Sequence, residues 1–238
     1  SGTAFVYSVV ATALVLSGQR QWSSKLYFES GAVILCLVTL GKFFETRSKK
    51  EAGEAYISTV LFDDVSEVLY DRVPVSKVEP MNDNQYYVRG CTALLDAIGG
   101  AIHHIGNIHK YEREEDIPEK TLFIITTDGM ENSSHQYTYE KVKKMVEKKK
   151  KKNGWEFLFL GANIDAIEVA GRFGIAANRA INYESDHEGT QLNYEVLSRT
   201  VSAYRSCESM DEESVDMLME ACCAPNVEDY KKRHKKRA

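Results

Sequence analysis

The chain has 238 residues, 43% of them hydrophobic and 27% charged, enough to bury a full α/β domain with something smaller beside it. Thirty basic against 35 acidic residues give a net charge of -5, which speaks against a nucleic-acid-binding protein. Cys36, Cys91, Cys207, Cys222 and Cys223 form no CxxC pair and have no ligand spacing with the six histidines, so a reduced, cytosolic setting with ordinary thiols is expected for most of the chain.

The amino-terminal part is apolar. Thr3 to Leu16 carries no charge, and after a polar break at residues 17–25 a second run, Leu26 to Phe44, has Glu29 as its only charge before Lys42. A spanning helix needs about 20 predominantly apolar residues, so the two runs predict an apolar helical hairpin over residues 1–50. Tyr27, Phe28, Phe43 and Phe44 bracket the second run like an aromatic belt, and Lys42, Arg47, Lys49 and Lys50 place its far end in the cytoplasm. A lipid membrane, met through residues 3–44, is therefore an expected partner. Ala32 to Leu40 also reads as a buried strand, being continuously apolar and rich in Val, Ile and Leu.

The period changes at Tyr56. YISTVLF (56–62) and SEVLYDRV (66–73) read as a strand pair around a turn at 63–65. Thr92 to Tyr111 is a helix by the recurrence of Leu94, Leu95, Ile98, Ile102, Ile105 and Ile108. TLFIITTD (121–128) is a buried strand, Tyr139 to Lys152 a lysine-rich amphipathic helix, and WEFLFLGAN (155–163) another buried strand. A short helix over 165–173, an edge strand over 179–183 and helices over 191–203 and 212–222 complete the elements, with a basic tail, KKRHKKRA. Strands alternating with helices through short loops imply a parallel sheet covered on both faces. KKMVEKKKKKN (143–153) is read as a solvated helix face.

Two stretches carry family resemblances. LYFESGAVILCLVTLGKFFETRSK, with GTAFVYSVV before it, is similar to the membrane helices preceding the actuator domain of heavy-metal (copper-type) P-type ATPases, over about residues 1–50. That family's cysteine-proline-cysteine motif, phosphorylated DKTGT loop and nucleotide-binding domain have no counterpart here. VRGCTALLDAIGGAIHHIG (88–106) and KTLFIITTDGMENSS (120–134) resemble the von Willebrand factor A-type (VWA) fold, most closely a subgroup of bacterial intracellular proteins.

The second resemblance implies a Rossmann-like parallel sheet over residues 51–205, incomplete because the first strand and its DxSxS loop are missing. Residues 206–238 would add a helix and the basic tail. It also implies a divalent-cation site, in which Thr92 supplies the second loop's hydroxyl and Asp128 the third loop's carboxylate. Without the DxSxS oxygens, Mg²⁺ binding is expected to be weak. Read without the family, Thr92 is a helix N-cap and Asp128 a strand-end turn residue. His103, His104 and His109 are surface or packing histidines, and no catalytic constellation is evident.

The expectation is therefore a non-enzymatic protein-binding module with a degenerate cation site, membrane-associated with the VWA-like part in the cytoplasm. If the apolar segment folds into the domain, the chain is cytoplasmic outright. The alternatives are a fragment of a heavy-metal-transporting ATPase without its catalytic domains, or a non-functional chimera. Loss of the first strand leaves two strand edges, Tyr56–Phe62 and Thr121–Asp128, without partners. Ala32–Leu40 is the segment able to fill that gap, as a parallel strand followed by a crossover helix over 42–55, but the membrane helix is the favoured expectation.

Overall fold

The computed structural model describes residues 33–40, 55–79, 85, 90–207 and 211–235. Its strands are β1 (Val33–Leu40), β2 (Ala55–Phe62), β3 (Ser66–Pro74), β4 (Lys120–Thr127), β5 (Glu156–Gly161) and β6 (Ala180–Asn182), joined in one sheet of order β3-β2-β1-β4-β5-β6. The helices are α1 (Leu94–Tyr111), α2 (Tyr139–Asn153), α3 (Ala166–Arg172), α4 (His187–Ser206) and α5 (Glu212–Lys235).

Strands β4, β5 and β6 are parallel, as their alternation with helices requires. Their side chains alternate between two layers. Phe123, Ile125, Phe157 and Phe159 meet α1, α2 and α3 on one face, where Phe123 stacks between Trp155 and Phe157 at 5.2 and 5.1 Å. Leu122, Ile124, Leu158 and Leu160 meet Val196, Leu197 and Tyr204 of α4 and Val215, Met219 and Cys223 of α5 on the other. The mixed α/β class, with a three-stranded parallel section covered by helices on both sides, thus follows from continuous apolar strands that must bury both faces.

The segment over Val33–Leu40 corrects the expected membrane helix. It is a strand inserted between β2 and β4, pairing Val33 with Phe62 and Leu40 with Ala55 on one side, and Ile34 with Thr126 and Leu40 with Lys120 on the other. Both neighbours offer a ladder edge that would otherwise be buried and unpaired, at about 1–3 kcal/mol per group. A helix would satisfy only its own backbone; the strand satisfies three.

Its direction also corrects the expected parallel crossover. β1 is antiparallel to both neighbours, so Leu40 and Ala55 lie at the same end of the sheet. The remaining parts of the predicted hairpin, residues 1–32 and 41–50, lie outside the described residues. Among the described residues no helix is long and apolar enough to cross a membrane.

The carboxy-terminal helix differs from its sequence reading in extent. α5 runs through Pro225 to Lys235, and Asn226, immediately after the proline, makes a buried 2.8 Å hydrogen bond to Asn193 of α4. Cys222 and Cys223, expected near a solvated tail, are buried residues of this helix, Cys223 packing with Val196 and Tyr204 of α4. Part of the basic tail is docked: Arg233 pairs with Asp186 and Asp229, and His234 Nε2 lies 2.8 Å from Glu184. Lys120, at the start of β4, is buried and donates to the carbonyls of Tyr204, Arg205 and Cys207, a cation closing the negative end of α4.

Candidate functional site

The carboxyl ends of β2, β4 and β5 lie along one edge of the sheet, where loops of an open α/β fold gather. Asp63 follows β2 there, and its carbonyl accepts from the Ala93 N–H at the entry to α1. Asp128 follows β4, and its carbonyl accepts at 3.5 Å from the side-chain amide of Asn163, which follows β5 with a left-handed φ of 57°.

The stretch 128–138 is bound along the first turns of α1. Thr92 donates its N–H to Asn132 Oδ1 at 2.8 Å and receives the Asn132 N–H on its own carbonyl at 3.0 Å. Glu131 accepts from the Leu95 N–H at 2.8 Å, satisfying one of the orphan donors at the helix start with a negative charge where the dipole favours it. The same carboxylate takes the Ser133 and Ser134 N–H groups and the Ser134 hydroxyl at 2.7–2.9 Å. Ser134 Oγ in turn accepts from the Asp96 N–H at 3.1 Å.

Asp96 returns the bond: its carboxylate accepts from the N–H groups of His135, Gln136 and Tyr137 at 2.8–2.9 Å. Partial burial alone would raise its pKa, but these three donors outweigh burial and hold it below the usual carboxylate value. Gly99 is required beside this loop, because a Cβ there would stand 2.3 Å from the Tyr137 ring.

Of the two residues singled out from the sequence, Thr92 stands at this edge beside Gly129, the residue that follows Asp128. Thr92 Oγ1 is 3.3 Å from where a Cβ on Gly129 would stand, so the nearly buried hydroxyl lies over the backbone next to Asp128, itself half-buried. A hydroxyl and a carboxylate are hard oxygen donors of the kind Mg²⁺ takes, but they fall short of the number that holds it tightly. β1 runs the opposite way, so its carboxyl end, Leu40, pairs with Lys120 and Ala55 at the other edge of the sheet. Among the described residues no group of three or more His, Cys, Asp or Glu side chains is arranged to hold a metal ion.

The histidines divide by environment. His103 is exposed, and His104 Nε2 sits 3.2 Å from Asp71. His109 is buried edge-on against Trp155, and burial, followed by the positive charges of Lys149 and Arg72, pushes its pKa down to about 4, so it is neutral. Cys223 is inert, its thiol pushed up to about 11 by burial.

Sequence reasoning missed the residues that build the site: Asp63, Asp96, Glu131, Asn132 and Ser134. The signal was present in the run Asp-Gly-Met-Glu-Asn-Ser-Ser after a buried strand, because short polar side chains there seek nearby backbone N–H groups. No family model matches the chain, and neither a curated protein nor a solved structure shows significant similarity to it.

Proposed function

We propose that residues 51–205 form a VWA-like protein-binding module, not an enzyme, whose divalent-cation site is reduced to Thr92 and Asp128. The observation that carries this reading is the bonding of the Thr92 loop to the loop after Asp128, at the edge where β2, β4 and β5 end. Such a rigid, polar loop pair suits recognition of a protein partner at the sheet's carboxyl edge. The strand role of Val33–Leu40 supports taking the apolar segment as part of the domain, and the domain as cytoplasmic. Cys91, Cys222 and Cys223, thiols outside any disulfide, agree with a reducing compartment.

Mn²⁺ titration followed by paramagnetic broadening of amide signals tests the site. Broadening centred on Thr92 and Gly129, half-complete at roughly 1 mM or above and lost in Asp128→Ala, is the expected outcome. Micromolar affinity abolished by Asp128→Ala would contradict a degenerate site, and broadening centred elsewhere would remove the site altogether. Copper-stimulated ATP hydrolysis by the chain would replace this reading with the transport-ATPase one.

A further inference from the structure

A second concave surface lies away from the sheet edge, between α1 and α2. It encloses about 420 Å³ and is lined by His103, Asn107, Lys110, Lys148, Lys149 and Asn153, with no acidic side chain in its wall. The volume falls within the roughly 300–1,000 Å³ of small-molecule sites. On a chain of net charge -5 such a concentration of cations runs against the overall balance.

Lys149 is the centre of this groove. Its ammonium group lies 4.4 Å from the centroid of the Trp155 ring, in the space that a side chain on Gly106 would fill, since a Cβ there would stand 2.5 Å from Lys149 Nζ. The lysine is half-buried, and withdrawal from water, then the neighbouring Lys148, lowers its pKa, so the free groove holds a charge that gains from a counter-ion. The acidic residues of α2 do not supply one. Glu140 and Glu147 form their ion pairs with Lys144 and Lys143.

We propose that this groove binds a phosphate-bearing small molecule, a phosphomonoester or diphosphate, through Lys148, Lys149 and Lys110. Ammonium groups gathered along one groove favour an anion of more than one charge, and a phosphomonoester carries about -1.5 to -2 at neutral pH. The side-chain amides of Asn107 and Asn153 add neutral donors for the remaining oxygens. The site is separate from Thr92 and Asp128 and does not depend on the function proposed for them.

The test is a titration of the full chain with inorganic pyrophosphate at about 0.15 M salt, where long-range attraction between exposed charges is screened within about 8 Å. Saturable shifts of the Asn107 and Asn153 amide signals and of the Trp155 indole signal are expected. Lys149→Met keeps the aliphatic stem over Trp155 and should weaken binding by about tenfold or more, the worth of one charge-assisted contact. Lys148→Met gives the same readout should the first variant lose its fold.

Lys144→Met, outside the groove, should change little. Equal weakening by Lys144→Met would reveal diffuse charge attraction and overturn the proposal, as would shifts that never saturate. Vesicles containing a monophosphate lipid separate the sources of the phosphate. Lys149-dependent sedimentation with them assigns the groove to a lipid headgroup, and pyrophosphate binding without sedimentation assigns it to a soluble ligand.

Discussion

Proline in the centre of β1 is the sharpest perturbation of this structure. Leu37 pairs with Ser58 on one side and Phe123 on the other, so each residue of the strand gives its N–H to one neighbour or the next in alternation. Leu37→Pro removes one ladder donor and leaves an acceptor on the adjacent strand unpaired, about 1–3 kcal/mol. The ring also intrudes where the neighbouring strand lies, which is why proline is confined to edge strands. A total near 3 kcal/mol is expected, a large part of the about 5–15 kcal/mol that holds a typical domain together.

Urea unfolding should register this in Trp155 fluorescence, with Trp22→Phe as background so that one indole reports. Trp155 is buried at 2% exposure against Phe123, far from Leu37 in sequence, so its signal follows the body and not the strand itself. With an m-value of about 2 kcal/mol/M, the midpoint should fall by about 1.5 M. Cys36→Pro should do the same, since it faces the other neighbour. An unchanged midpoint in both variants would refute the insertion of β1, because a segment outside the sheet tolerates proline without cost to the body.

Three further outcomes test the core and the loop clamp. Leu122→Ala and Phe157→Ala, at 0% and 1% exposure on opposite faces of the sheet, should each cost about 2–5 kcal/mol in the same unfolding assay. Asp96→Ala should free the loop at 135–137 from α1, read as faster amide exchange there; in the parent, the stability Asp96 contributes is full above about pH 4 and lost as pH falls below it, because its folded pKa is depressed. His109, whose folded pKa lies at about 4 against the ordinary 6.5, should make stability decline as pH falls from about 6.5 to about 4, as the unfolded chain takes up the proton first; His109→Gln should flatten that slope in urea midpoints.

Local pattern was enough to read the body from Tyr56 onward. The turn residues around Asp63, the 3.6-residue recurrence of Leu94 to Ile108 and the short apolar runs at Thr121 and Trp155, bounded by turn residues, were enough to read the elements, and β2, α1, β4 and β5 lie within a few residues of those readings. That the loop before α1 and the loop after β4 meet also follows from local order, because a residue before a crossover helix and a residue after a parallel strand arrive at the same edge of the sheet.

What lay beyond the sequence were features whose local chemistry is satisfied in more than one way. Val33–Leu40 is apolar but for Thr39 and can meet its backbone requirement as a helix in lipid or as a strand; the two open edges of β2 and β4 decide for the strand, which pairs antiparallel to both. Pro225 marks a helix end by local rules, yet α5 passes through it because packing on α4 and the Asn226–Asn193 bond outweigh one lost backbone hydrogen bond. The carboxylates of Asp96 and Glu131 look like ordinary surface charges until the fold brings an unpaired helix start and a loop of free N–H groups together around them. Composition and period thus determined the elements from Tyr56 to the end of β5, because those depend on neighbours a few residues apart. Partners distant in sequence decided the role of β1, the length of α5 and the chemistry of the sheet's edge, because burial and hydrogen bonding there are satisfied only when the elements meet.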